Sequence, residues 1–184
     1  MRKLPNIVIL DEKNKKLHMK SEDIKFPLSK KTIDDINDMM EYLEMSQIDE
    51  YREKYNLRAG MGLSYIQIGV PKRLFVIVNE VEDGKFEKYI IINPRIKSCS
   101  EEMIYISEGE GCLSINRPTT GIVPRHARMT VIANDINGEE FEIRVREELA
   151  VAFQHELDHL DGILFTDKID PKNPFKGKDI YRAI

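Results

Sequence analysis

The stretch REELAVAFQHELDHL, Arg146 to Leu160, decides how this chain is read. Val151, Ala152, Phe153, Leu157 and Leu160 make it a buried helix, and Gly162 supplies the stop. Within it, His155 and His159 stand four residues apart. They share one helix face and can grip a single metal ion. Glu156 lies about 100° further round a turn of ~3.6 residues, within reach of a water on that ion. An ion of this kind lowers the pKa of such a water toward ~7, and a carboxylate can then accept the proton. The plain reading is a surface helix with scattered polar residues, since His-Glu-x-x-His also arises by chance. The apolar context weighs against it, because two histidines and a glutamate are costly to bury without partners.

A catalytic centre needs a third protein ligand and an open position. A third histidine six residues after His159 would fit one known pattern, but Phe165 occupies that place. Asp179 has a plausible separation, yet it sits in a tail broken by Pro and Gly. Cys112, in Gly109-Glu110-Gly111-Cys112-Leu113-Ser114, is the better candidate. Glycine lets the backbone pass close to an ion or substrate, and a thiolate is a strong ligand for zinc or ferrous iron. A lone cysteine is more often a buried structural residue, and Cys99 is left with that reading. His18 and His126 lack spaced partners; His126, between Arg125 and Arg128, reads as solvated or hydrogen-bonded.

A third segment, Gly60-Met61-Gly62-Leu63-Ser64-Tyr65-Ile66-Gln67-Ile68-Gly69, is not a dinucleotide fingerprint, because Tyr65 stands where the third glycine belongs. A helix-to-strand connection explains the glycines but not Gln67 in an apolar run. A buried glutamine needs partners, or it offers its amide to a ligand or a developing oxyanion.

Around these segments, Ser29 can cap a helix with Ile33, Ile36, Met39, Met40 and Leu43 at helical spacing. Asp49 to Tyr55 is a second, charged helical stretch ending at Asn56. Leu74 to Val78 and Tyr89 to Ile92 read as buried strands joined by a turn at Glu82 to Lys85, the second ending at Asn93-Pro94. Met129 to Ile136 and Phe141 to Val145 form a hairpin through Asn137-Gly138. The expected fold class is α+β in one domain.

The composition narrows the function classes. At 184 residues the chain suits one domain with a real core. A net charge of −4 does not indicate a general nucleic-acid-binding surface. Two cysteines give no disulfide framework and fit a reducing cytosol. The apolar run Ile7 to Leu10 is too short for a signal peptide, and no stretch is long enough to span a bilayer. The tail from Lys168 to Ile184 holds five cations against two carboxylates. That excess fits a solvated tail better than an RNA contact, although a transient touch on the ribosome stays open.

Taken in order, Gly60 to Gln67, Glu110 to Ser114 and Gln154 to Leu160 resemble the three motifs of the peptide deformylases. The second and third are intact. The first departs at Ser64 and Tyr65, where the family has two alanines; the added ring bears on the packing beneath Gln67 and on groove width. The resemblance runs from about Gly60 to Phe165. The segment before Gly60 and Asn173-Pro174 are similar to the longer bacterial subclass.

The resemblance implies one catalytic domain over 1–184, with antiparallel and mixed sheets packed around a metal-binding helix. A helical extension covers about 29–58, and the basic tail about 168–184. It implies that Cys112, His155 and His159 hold Fe²⁺, with Zn²⁺ or Ni²⁺ able to substitute. Glu156 becomes the general base toward a water that attacks the formyl group of N-formyl-methionyl peptides, and formate is released. Gln67 and the Leu113 N–H meet the oxyanion. The backbone at Met61-Gly62 and at Gly109-Glu110-Gly111 forms peptide-binding edges, while Val151, Ala152 and Glu110 wall the methionine pocket. A cytoplasmic monomer acting on nascent chains is expected, with no membrane and no sequence-specific nucleic acid. Two rivals remain. A small metallopeptidase shares the helix motif but needs neither Cys112 nor Gln67. A structural zinc centre needs four protein ligands, and three are found.

Overall fold

The structure is a computed structural model and describes residues 2–184. In chain order the elements are α1 (Lys30–Gln47), α2 (Asp49–Tyr55), β1 (Gly62–Ser64), β2 (Leu74–Glu82), β3 (Lys85–Cys99), β4 (Met103–Tyr105), β5 (Arg125–His126), β6 (Arg128–Asn134), β7 (Glu140–Arg146), α3 (Glu147–Leu160) and β8 (Arg182–Ala183). Short 3₁₀ turns occupy Lys15–His18, Tyr65–Ile68 and Phe165–Lys168. The fold is α+β. A five-stranded antiparallel sheet runs β1-β2-β3-β6-β7, and a small mixed sheet runs β5-β4-β8 with β4 and β8 parallel.

β2 shows why the core has two sides. Leu74 to Val78 are all buried, but successive side chains point to opposite faces. Phe75 and Ile77 join Phe153, Leu157 and Leu160 of α3. Leu74, Val76 and Val78 join Ile36, Met39 and Leu43 of α1. The sheet is therefore sandwiched between the helical segment near the N-terminus and α3, and both apolar stripes are satisfied. Ser29 caps α1 by accepting from the Thr32 N–H at 3.1 Å. Ile33, at the edge of the stripe, stays 41% exposed.

β3 runs past the expected end at Asn93-Pro94. Asn93 has φ 50°, and the register shifts between Ile92 and Arg95. This bulge takes up Pro94, which has no N–H to give a ladder. The Asn93 side chain pairs with the Ile24 backbone instead, its Oδ1 accepting at 2.7 Å and its Nδ2 donating at 2.9 Å. The β6–β7 hairpin forms as expected, but β6 ends at Asn134, because the Asp135 carboxylate accepts from the N–H groups of Asn137 and Glu139 and closes the loop there. After α3 the chain returns to add β8 beside β4. Among the described residues, no helix is long and apolar enough to cross a membrane.

Candidate metal centre and its groove

α3 delivers His155 and His159 to one point, and the loop before Leu113 brings Cys112 to meet them. One donor atom from each lies within 4.8 Å of the others, and Cys112 Sγ is 3.3 Å from His159 Nε2. His155 Nδ1 bonds Glu110 Oε2 at 2.9 Å, which leaves Nε2 available to a metal ion. Phe165, where a third histidine was considered, stacks on the His155 ring at 5.8 Å. Asp179 is not part of the cluster.

The fit to an ion is chemical as well as geometric. A thiol and two imidazoles suit a divalent transition metal. His159 Nδ1 and Glu156 Oε2 are buried with no hydrogen-bond partner among the described residues, so the centre has polar capacity that the protein itself leaves unused. Burial holds the His159 pKa well below the usual imidazole range, which keeps the ring neutral and able to ligate. At His155 burial acts the same way, but bonding to Cys112 and Glu110 outweighs it and raises the pKa. Burial also pushes the Glu156 carboxyl up to about 7.

Behind the ligands lies a buried chain of charge. Arg125, 2% exposed, forks onto Glu110 at 2.7 and 2.9 Å and reaches Asp158 Oδ2 at 2.5 Å. Asp158 also meets Lys168 at 3.0 Å. Burial would raise the Glu110 pKa, but His155 and Arg125 together hold it at about 2. A buried ion pair of this kind specifies geometry more than it adds stability. Arg125 and Asp158 escape a reading of the sequence: Asp158 lies inside the helix motif, but nothing local marks its partner. Gln154 docks the same helix, exchanging bonds of 2.9 Å with the His126 N–H and carbonyl of β5. His126 is hydrogen-bonded, through Nδ1 and the Ser100 carbonyl. Cys99, expected to be buried, is exposed at the end of β3, because β3 there has run past its β2 pairing and keeps only its pairing with β6.

Gln67 is 1% exposed. Its Oε1 accepts from the Ser64 N–H and hydroxyl at 2.9 and 3.0 Å, and its Nε2 faces Ser114 Oγ at 3.1 Å and Cys112 Sγ at 3.6 Å. Ser64 therefore aims the glutamine. Tyr65 points the other way: its ring packs with the α1 cluster and its hydroxyl donates to Asp35 Oδ2 at 2.6 Å. Burial and this carboxylate push its pKa up to about 12. The tyrosine thus leaves the groove width untouched. Arg58 holds the loop of Cys112, donating to the Leu113 and Ile115 carbonyls at 2.5 and 2.6 Å.

A cavity of about 470 Å³ opens in front of the cluster. Met61, Gly62, Gln67, Gly109, Glu110, Gly111, Cys112, Leu113, Val151, Ala152, His155 and Glu156 all line it. Glu110 contributes to the wall while its carboxylate turns back to Arg125 and His155. Arg58, Ile106 and Glu148 also line the cavity and carry no motif that announces them. Gly62 is required by close approach, since a Cβ there would collide with the Glu156 carboxylate.

A buried His-Glu-x-x-His helix, a converging cysteine and a cavity before them define a metal-dependent hydrolase. The sequence matches the polypeptide deformylase family over residues 6–175. It is 46% identical over 152 residues to a peptide deformylase of Oceanobacillus iheyensis, covering 83% of each chain. It is 42% identical over 159 residues to peptide deformylase 2 of Bacillus anthracis, covering 86% of each. Among solved structures, a plant peptide deformylase superposes with TM-score 0.77 at 26% identity, covering 97% of this chain and 89% of that one. A peptide deformylase from Legionella pneumophila superposes with TM-score 0.72 at 32% identity, covering 91% and 88%. The chain belongs to the polypeptide deformylase family, metal-dependent hydrolases that act on formyl-methionyl peptides. The small metallopeptidase reading is not favoured.

Proposed function

We propose that this chain removes the formyl group from N-formyl-methionyl nascent peptides as one catalytic domain spanning 1–184, with a helical segment at about 29–58 and a basic tail at about 168–184. The observation that carries the reading is the buried, unpartnered Glu156 Oε2 beside the Cys112-His155-His159 cluster at the cavity wall. Cys112, His155 and His159 would hold a metal ion, which would supply a Lewis acid and lower the pKa of a water. Glu156 accepts the proton of the attacking water as the water's oxygen bonds the formyl carbon. Gln67 gives the developing oxyanion the hydrogen now turned to Cys112, the longer of its two contacts. The Leu113 N–H, on a loop braced by Arg58, is the second donor. Glu156 then passes its proton to the amine as the C–N bond breaks, and formate leaves. Met61, Gly62, Gly109 and Gly111 pair with the extended peptide, while Val151, Ala152 and the Glu110 segment enclose the methionine side chain. Formate release from formyl-Met-Ala, without cleavage of unformylated peptides, is the expected result. Internal peptide cleavage without formate would sink the reading.

The ion in this proposal is Fe²⁺, with Zn²⁺ or Ni²⁺ able to substitute. One thiolate and two imidazoles suit both iron and zinc, so oxygen is the discriminating reagent. The iron form should lose activity in air as the metal or Cys112 is oxidised, and the zinc form should persist, zinc having no redox chemistry. Cys99→Ser should not alter this course. Equal decay of both forms, abolished by Cys99→Ser, would place the lesion at the exposed Cys99. We further propose a cytoplasmic monomer, bound to neither membrane nor specific nucleic acid sequence. In its tail Lys168, Lys176 and Arg182 pair with carboxylates, which leaves Lys172 and Lys178 for any transient ribosome contact.

A further inference from the structure

Glu147 opens α3 at φ 53°, a left-handed conformation that side-chain-bearing residues rarely adopt. The side chain of the N-cap residue, Arg146, makes no capping hydrogen bond. Glu147 is held in two other ways. Its N–H donates to the Ala127 carbonyl at 2.9 Å. Its carboxylate accepts both arms of Arg182, Nη2 to Oε1 at 2.9 Å and Nη1 to Oε2 at 3.0 Å. The Arg182 Nε donates to Glu102 Oε1 at 2.9 Å, next to β4, and the backbone of β8 pairs with β4 at Ile104. Two residues on, Ile184 packs with Ile104, Val151 and Ile106. Val151 projects from the first turns of α3 and Ile106 follows β4; both line the cavity, and Arg182 does not. Arg182 therefore ties β4 to α3, and one apolar wall of the cavity comes from each, Ile106 after the strand and Val151 on the helix.

We propose that Arg182 is a positioning residue. By holding Glu147 in its strained conformation and Glu102 beside it, it fixes the spacing of α3 from β4, and with it the fit of the cavity around the apolar side chain of the peptide's first residue. The identity of that peptide rests on the deformylase reading; the geometry does not. The test compares the metal-loaded full chain with Arg182→Ala and Arg182→Lys, each also combined with Glu147→Gly. Amide exchange and steady-state rates on formyl-Met-Ala are measured for each. Losing a bidentate charged contact should speed exchange over residues 147–152 and raise KM by about tenfold each, with kcat within about twofold. Lysine, which cannot fork, should fall between. Glycine adopts a positive φ without strain, so in Glu147→Gly the alanine change should have little further effect. Unchanged exchange at 147–152, a fall in kcat and bound metal with KM unchanged, or an undiminished effect in Glu147→Gly would each overturn the proposal. A wild-type chain inactive on formyl-Met-Ala would remove the deformylase reading, and the exchange arm would still decide the role of Arg182.

Discussion

Gln67 and Glu156 are both buried at the cavity wall, yet their side chains are built for different tasks. Gln67 has its carbonyl fixed by Ser64 and its amide shared between Ser114 and Cys112. Glu156 has one oxygen with no hydrogen-bond partner among the described residues. Replacing Gln67 by Leu should cost roughly 2.7–4 kcal/mol of transition-state stabilisation, the range for one oxyanion donor, and should appear in kcat. A change confined to KM would show that Gln67 only binds. Glu156→Ala should retain metal and peptide binding while kcat falls by several orders of magnitude, since the proposed mechanism takes both proton transfers through this carboxylate; an unchanged saturated rate would defeat the role. The two histidines and the glutamate are legible in the sequence because a helix places residues four apart on one face. The charges that orient them are not: Arg125 and Asp158 are separated by 33 residues, and no periodicity marks a pair made by the fold alone.

α1 and β2 are legible for a local reason too, since apolar spacing of helical or strand type survives in the sequence. The path of β3 through Pro94 is hidden, because its bulge depends on Asn93 pairing with Ile24, far away in the chain. The short strands β1, β4, β5 and β8 are also hidden, being too brief to carry a period. What the departure at Tyr65 does became clear only from packing: the ring belongs to the α1 side, and its hydroxyl joins the 3₁₀ turn to Asp35. Tyr65→Phe removes a hydrogen bond to a charged group, a change of about 1.5–3 kcal/mol. Asp35 keeps Lys31 at 2.6 Å and is not stranded. Urea unfolding should show this loss, while kcat/KM on formyl-Met-Ala stays within about twofold, the tyrosine lying outside the groove. A large fall in activity with full stability would place the ring in the groove after all.

The metal cluster draws Cys112 from one loop and two histidines from α3, so its geometry exists only when the chain is folded. An ion that binds the folded state alone stabilises it by about 4 kcal/mol at a thousandfold excess over Kd, and each kcal/mol moves the Tm of a chain this size by ~2–4 °C. Chelation should lower Tm by about that product, and Cys112→Ala should abolish most of the difference between loaded and chelated protein. Equal Tm values with and without chelator would deny the cluster its ion. The chain of charge that runs from the exposed Lys168 to the buried Glu110 sets a further condition on this centre. A scaffold given only Cys112, His155, His159 and Glu156 would inherit a first histidine whose rotation nothing enforces. Transplanting the centre means carrying Glu110, Arg125 and Asp158 as one unit, because without Arg125 two carboxylates lose their shared cation beneath the helix.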